Sequence, residues 1–290
     1  MVTYNLELFE NDINSLSTEI MNKINKLNET INNSNDDTRY EKHKNRKNRK
    51  NIDVKPVLFN KIKPTVSDID LIINNIRMTL NKISLMNYDI QKEQIFEFID
   101  EYLNTNDSDI IIIVELYINI TCINKNLLNV YITLWKDMIQ KYDKNNIFNS
   151  ILVNKYKTCS DDIEYIDSSV NYNQYCLNNK NNDKRKNLNL FVLELIKLQH
   201  IDIGYNIALI NKLKSIMMND IMNTDKFEIT DEIIHLLSIN IITNLDNIKQ
   251  NIEWEKIKNF MVELKDKPKT ERIGISSRSY FKILDIYDLL

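Results

Sequence analysis

Catalytic and metal sites are usually assembled from histidine, cysteine and paired carboxylates, and this chain is poor in the first two. Its three histidines are His43, His200 and His235, and its three cysteines are Cys122, Cys159 and Cys176. No histidine lies three or four residues from a cysteine or another histidine, so the spacings that hold zinc are missing. A Cys–His dyad assembles in space rather than in sequence, which leaves a pairing such as Cys176 with His200 open. His235 stands beside Leu236 and Leu237 on an apolar stripe, where a core or rim histidine is the plainer reading. Asp161 and Asp162 read as solvated loop carboxylates. Asp285 and Asp288, i and i+3 on a helix, read as capping or ion-pairing groups. Trp135 and Trp254 fall on apolar stripes and read as core. The sequence therefore predicts a protein with no catalytic residue, no metal and no cofactor.

Phosphate chemistry is restricted in another way. The 290 residues include only two glycines, Gly204 and Gly274, and they lie far apart. Neither a Rossmann turn nor a P-loop can be built, because both need clustered glycines to let backbone approach phosphate. The densest positive run is Lys42, Lys44, Arg46, Lys47, Arg49 and Lys50, in a stretch with almost no apolar residue. It reads as a self-repelling solvated linker or as a contact for a phosphate backbone. A net charge of −3 argues against coating by nucleic acid while leaving local patches open. The odd, widely spaced cysteines suit a reducing compartment. The longest apolar run, Ile110 to Val114, is too short to span a bilayer, and Glu7, Glu10 and Asp12 do not suit a signal peptide. A cytoplasmic protein with no membrane partner is expected.

The elements that would position these groups are helices. All-β folds need frequent Gly or Pro turns, and no proline occurs between Pro64 and Pro268. Asn (44 residues) and Ile (47) fill nearly a third of the chain, a bias that reads as the mark of an AT-rich genome. Apolar residues at spacings of three and four predict one helix over 1–33 and then ten more: 67–84, 89–103, 109–123, 127–142, 147–156, 188–199, 203–217, 231–245, 251–264 and 276–289. Ser67, Ser108, Thr230 and Ser276 supply start signals. The run Ile110–Val114 fits a buried strand, but its continuation at Tyr117, Ile118 and Thr121 is in helical register. Residues 157–182 have no period and read as a long loop or insertion. Successive short helices without strands suggest stacked hairpins that share one core, with an irregular bundle as the rival.

Three phrases resemble the middle domain of eukaryotic translation initiation factor 4G. The first is Ser276-Ser277-Arg278, then Phe281, Asp285, Asp288 and Leu289, which matches all seven positions of that family's closing helix. The second is Arg77 to Ser84, with Leu80-Asn81-Lys82-Ile83 followed by Tyr88, similar to the family's opening segment. The third is Phe191 to Leu198 preceded by basic Lys184-Arg185-Lys186, although Leu193 stands where the family has Gly. The resemblance covers about three quarters of the chain. It implies an all-α solenoid of about five HEAT-type hairpins over 72–290, following a helical extension (1–33) and a basic linker (34–71).

The resemblance also implies a function. Such a domain is a scaffold without an active site that binds and activates the DEAD-box helicase initiation factor 4A, and touches RNA. The helicase contacts carried over are Arg77, Leu80, Ile83, Tyr88, Arg278 and Phe281. RNA contacts would be the 42–50 cations together with Lys184 and Arg185. A cap-binding protein is a weaker expectation: Tyr142 with Ile147-Phe148 has the family's tether spacing but lies inside the repeats, and Tyr4 with Leu8-Phe9 is one residue short. The family's Trp-containing stretch before the domain has no counterpart among residues 1–70; Val57-Leu58-Phe59 is only a placeholder for that second contact. The sequence looks like a minimal or viral version of the factor. A repeat scaffold of RNA processing or decay, and a module that binds only proteins, are the alternatives.

Overall fold

The computed structural model describes residues 68–105, 109–143 and 145–290. All of them belong to one compact unit, Pro64–Leu290. The expected helix over 1–33, Val57-Leu58-Phe59 and the basic run Lys42–Lys50 therefore lie outside the described residues.

Among those residues there are eleven α-helices and no strand. They are α1 (Asp68–Lys82), α2 (Tyr88–Leu103), α3 (Ile110–Thr121), α4 (Leu128–Tyr142), α5 (Ile147–Thr158), α6 (Tyr172–Lys197), α7 (Gly204–Asp220), α8 (Phe227–Thr243), α9 (Leu245–Lys249), α10 (Trp254–Asp266) and α11 (Ser277–Tyr287). All but the five-residue α9 fall where the apolar period predicts a helix. The first already includes Asp68, the first described residue, ahead of the expected domain start at residue 72.

The isoleucine run settles as helix α3. Asp109 caps it by accepting from the Ile111 amide at 2.8 Å, and Ile113, Val114, Tyr117 and Ile118 all turn inward, at most 1% exposed. Burial of that stripe outweighs the strand preference of β-branched residues. Two start signals fail. α8 begins at Phe227, so Thr230 lies inside the helix, fully buried and with no hydrogen-bond partner for its hydroxyl among the described residues. The cap next to Ser108 is Asp109 itself.

The larger correction is α6. Its first half is Asn-rich and without an apolar period, yet the helix starts at Tyr172, capped by Asn171 accepting from the Gln174 amide. The expected loop over 157–182 shrinks to the segment between Thr158 and Tyr172. Side-chain bonds rather than an apolar face dock this polar stretch. Asn178 donates to the Glu164 carbonyl at 2.8 Å, and Arg185 donates to the carbonyls of Cys159 and Asp162.

The helices stack in two layers. In the first, α1 touches α3, α3 touches α5 and α5 touches α7, while Lys214 of α7 lies over the Phe260 ring of α10. In the second, Tyr88 of α2 donates to Asp137 of α4 at 2.9 Å, and α4 meets α6, α6 meets α8 and α8 meets α11. The hairpins α1/α2, α5/α6, α7/α8 and α10/α11 join the layers, as does the contact of Tyr117 in α3 with Tyr131 and Trp135 in α4. One continuous apolar core runs between the layers.

Candidate functional site

Helix α11 ends the second layer, and its opening residues fix its place. Ser276 caps it, accepting from the Ser279 amide at 3.1 Å. The Ser276 hydroxyl donates to Asp231 of α8 at 2.6 Å, and the Ser279 hydroxyl donates to the same carboxylate oxygen. Ile283 and Ile286 are fully buried against α8 and α10. Before the helix, Gly274 runs so close to the end of α7 that an added Cβ would meet the carbonyl oxygen of Asp220 at 2.5 Å. Its amide donates to the Ile221 carbonyl at 2.7 Å. These contacts leave two sides of α11 free. Phe281 is 64% exposed, while Arg278 and Lys282, one turn apart, face a cleft against α6 and α8.

That cleft, of about 580 Å³, is lined by Tyr165 and Tyr175 at one end and by Lys186, Glu232, His235, Arg278 and Lys282 along its walls. Lys186 pairs with Glu232 at 2.9 Å. Burial raises the Glu232 carboxyl above its ordinary range, against the pull of Lys186. His235 is pushed down to about 4, chiefly by burial and then by Lys282, Lys186 and Arg278. Lys282 is itself lowered by burial and by Arg278 and Lys186. The cleft thus brings three cations, Lys186, Arg278 and Lys282, together with five carboxylates, Glu164, Asp183, Glu228, Asp231 and Glu232.

The other residues singled out in the sequence scatter. Arg77 is exposed at the far end of the stack, its guanidinium held by Asn74 within the same helix at 2.9 Å. Leu80 and Ile83 are core residues, 1% and 2% exposed, because the inner face of α1 must cover α2 and α3. Neither has a surface to offer a partner. Tyr88 is half-buried and its hydroxyl is spent on Asp137; burial first, and then that carboxylate, raise its proton affinity. Lys184 is exposed, but Arg185 is buried, with its guanidinium occupied by two loop carbonyls and Asn182, so it is structural and offers RNA no contact. Tyr142 donates to Asp100 at 2.9 Å and Phe148 is fully buried, so that pair forms no tether.

The dyad of Cys176 and His200 is excluded by one element. Cys176 lies in the first half of α6 and His200 just beyond its end at Lys197, and the roughly 21 residues of helix between, at about 1.5 Å each, hold them roughly 30 Å apart. Among the described residues no group of three or more His, Cys, Asp or Glu is placed to hold a metal. Asp161 pairs with Lys212, and Asp288 caps the end of α11. Trp135 is fully buried, while Trp254 is half-buried beneath Lys249. No single described helix is long and apolar enough to cross a membrane. Sequence reasoning missed Lys282, Lys186 and His235 as neighbours because α6, α8 and α11 meet only in the stack. No protein-family model and no curated protein matches the chain.

Proposed function

We propose that the chain is a non-enzymatic scaffold of the kind its resemblance to the middle domain of initiation factor 4G implies. On this reading it is a solenoid of about five HEAT-type hairpins that binds and activates a DEAD-box helicase, contacts RNA and works in the cytoplasm. Contacts to both helicase lobes would favour the closed, ATP-competent arrangement of the partner.

The observation that carries the reading is the closing helix. Of the matched residues on α11, Ser276 is absorbed in the fold while Arg278 and Phe281 stay outside it, and an exposed aromatic beside an arginine is the usual make-up of a protein-binding hot spot. Two layers of hairpins sharing one core are also how solenoids are built.

A helicase ATPase assay with the full chain tests this: Arg278→Glu and Phe281→Ala should each reduce stimulation about tenfold or more, and undiminished stimulation in both would refute the surface. A second reading, a module that binds only proteins, is favoured by the loss of Arg185 from the cationic surface. Neutralising Lys42 to Lys50 separates the two, since an RNA contact there would lose affinity and show a shallower salt dependence.

A further inference from the structure

The turn between α1 and α2 is braced so that two apolar side chains stand in water. The Ser84 amide and hydroxyl both donate to Asn87 Oδ1, at 2.7 and 3.0 Å, and the Asn87 side chain donates to the Lys82 carbonyl at 3.0 Å. On this turn Leu85 is 79% exposed and Met86 is 99% exposed. Ile90, early in α2, and Ile123, on the turn between α3 and α4, are exposed as well. Asn124 donates to Asn81 at the end of α1 at 3.5 Å, which sets the two turns side by side. Together they make a protruding apolar tip rather than isolated surface residues. Next to the tip the surface falls into a depression of about 660 Å³, whose apolar lining is Ile123, Leu127, Leu190 and Ile239. The last three are only half-buried. The charges at tip and depression are opposite. Lys82 is exposed just before the tip, with no carboxylate partner among the described residues. In the depression Asp183 is exposed and likewise unpaired, because Lys186, one turn along α6, is taken by Glu232 at 2.9 Å. Lys125 on the rim is free among the described residues, and Asp89 beside the tip is only loosely held, 3.7 Å from a Lys92 that it shares with Asp137.

We propose that two copies of this chain pair through this edge, Leu85 and Met86 of each seated in the depression between α4, α6 and α8 of the other, and Lys82 of each meeting Asp183 of the other. A protrusion and a recess side by side, with opposite charges at the two, is what a two-fold axis requires, because each copy then presents both halves of one contact. Lys125 and Asp89 give the same pairing a second set of opposite charges. A nucleic-acid strand is a poorer occupant: the depression holds no Phe, Tyr or Trp for bases to stack on, and its free carboxylate repels phosphate. Two turns and one depression make a small interface, so the pairing is weak, with a Kd of roughly 1–100 μM. It uses neither Arg278 nor Phe281 and stands apart from the helicase reading.

Sedimentation equilibrium of the full chain, from roughly 2 to 200 μM, tests it. The average mass should climb from the 34.5 kDa of one chain toward twice that value, and a monomer throughout overturns the pairing. Met86→Glu alters a side chain that the fold does not use, and it should weaken association about tenfold or more. Exchange of the charges is the sharper arm. Lys82→Glu alone and Asp183→Lys alone should each associate about tenfold more weakly, since every pair then contains two like-charge contacts. An equal mixture of those two variants should recover the wild-type mass, because both contacts become attractive. Both positions are exposed, and thermal melts check that each variant is folded. A mixture no better than its components, or a dimer indifferent to Met86→Glu, puts the association on another surface and overturns the proposal. A monomer that binds phosphatidylserine vesicles, and loses them on Met86→Glu, assigns the tip to a membrane and overturns it too.

Discussion

The two halves of the core are built from different materials. Through α3 and α4 the interior is aromatic: Trp135 meets Tyr117 at 5.5 Å, Phe148 at 5.3 Å and Phe191 at 5.6 Å, and Tyr117 donates its hydroxyl to the Tyr131 carbonyl. Across α5 to α8 the interior is threaded with amides. Asn189, Asn206 and Asn240 are fully buried. Tyr156 donates to Asn240 Oδ1 at 2.5 Å, Asn240 donates to Asn189 Oδ1 at 2.8 Å, and Asn206 donates to the Asn240 carbonyl at 3.1 Å. Asn244 adds a bond to the Leu193 carbonyl at 3.0 Å. Rings stabilise by area and tolerate small slips. Buried amides stabilise little net, but any shift that leaves one unpaired is costly. The amide half is therefore the one whose register is most sharply specified.

The largest expected effect tests that contrast. Asn240→Leu is close to isosteric, yet it removes the partner of the fully buried Asn189 Oδ1; it should cost about 2–4 kcal/mol in urea denaturation. Trp135→Phe removes more atoms but no hydrogen bond that the structure shows, and about 1–2 kcal/mol is expected. If the asparagine change proves the milder of the two, amides in this core are merely tolerated.

Next in size is a contrast between the glycines. At Gly274 a Cβ would meet three backbone carbonyls, of Asp220, Ile221 and Asn223, at 2.5 to 2.8 Å. Gly274→Ala should cost about 1–3 kcal/mol, as overpacking does, and loosen α11. At Gly204 the close atom is the tip of the Asp202 side chain, which accepts from the Gly204 amide at 2.7 Å; turning it aside gives up only that one exposed bond, so Gly204→Ala should cost no more than about 1 kcal/mol. Equal losses at both would show that the turn before α11 is softer than its contacts imply.

These cases mark what sequence could and could not tell. Apolar period placed ten helices because each has one face against the shared core. It failed for the start of α6, which has no such face and is docked by Asn178 and Arg185. Arg185 looked like surface within a basic run, and only the carbonyls of Cys159 and Asp162, brought in by the fold, reveal it as structural. The asparagines read as genome bias by count. Among the described ones, four turn out to be interior, and only the partners across helices distinguish those four. For the candidate site, Arg278 and Phe281 were visible through one contiguous motif. Lys186, His235 and Lys282 come from three helices and share no local signal.

The charged cleft between α6, α8 and α11 predicts a pH dependence of intermediate size. His235 is held at about 4 in the fold against an ordinary 6.5, so the unfolded chain takes up a proton that the folded one resists. Stability should be full above about pH 6.5 and drain as pH falls toward 4, by about 1–2 kcal/mol once its partial exposure is allowed for. Glu232, whose affinity is raised, works in the opposite sense above its ordinary 4.5. The difference between wild type and His235→Gln across this window isolates the histidine, and parallel curves would remove it from the linkage.

The smallest effect returns to asparagine and its backbone. Only two non-glycine residues among those described have positive φ, Asn146 at 58° before α5 and Gln199 at 61° after α6. Asparagine visits this region readily, so Asn146→Gly should change stability by no more than a few tenths of a kcal/mol. Gln199 has no such ease. It sits past the end of α6, where its amide and that of His200 donate to the carbonyls of Ile196 and Leu195, both at 2.9 Å, the position that glycine usually fills. Gln199→Gly should therefore stabilise by about 0.5–1 kcal/mol, read as a higher urea midpoint at unchanged slope. A loss instead would mean that the glutamine side chain contributes more at the end of α6 than its exposed position suggests.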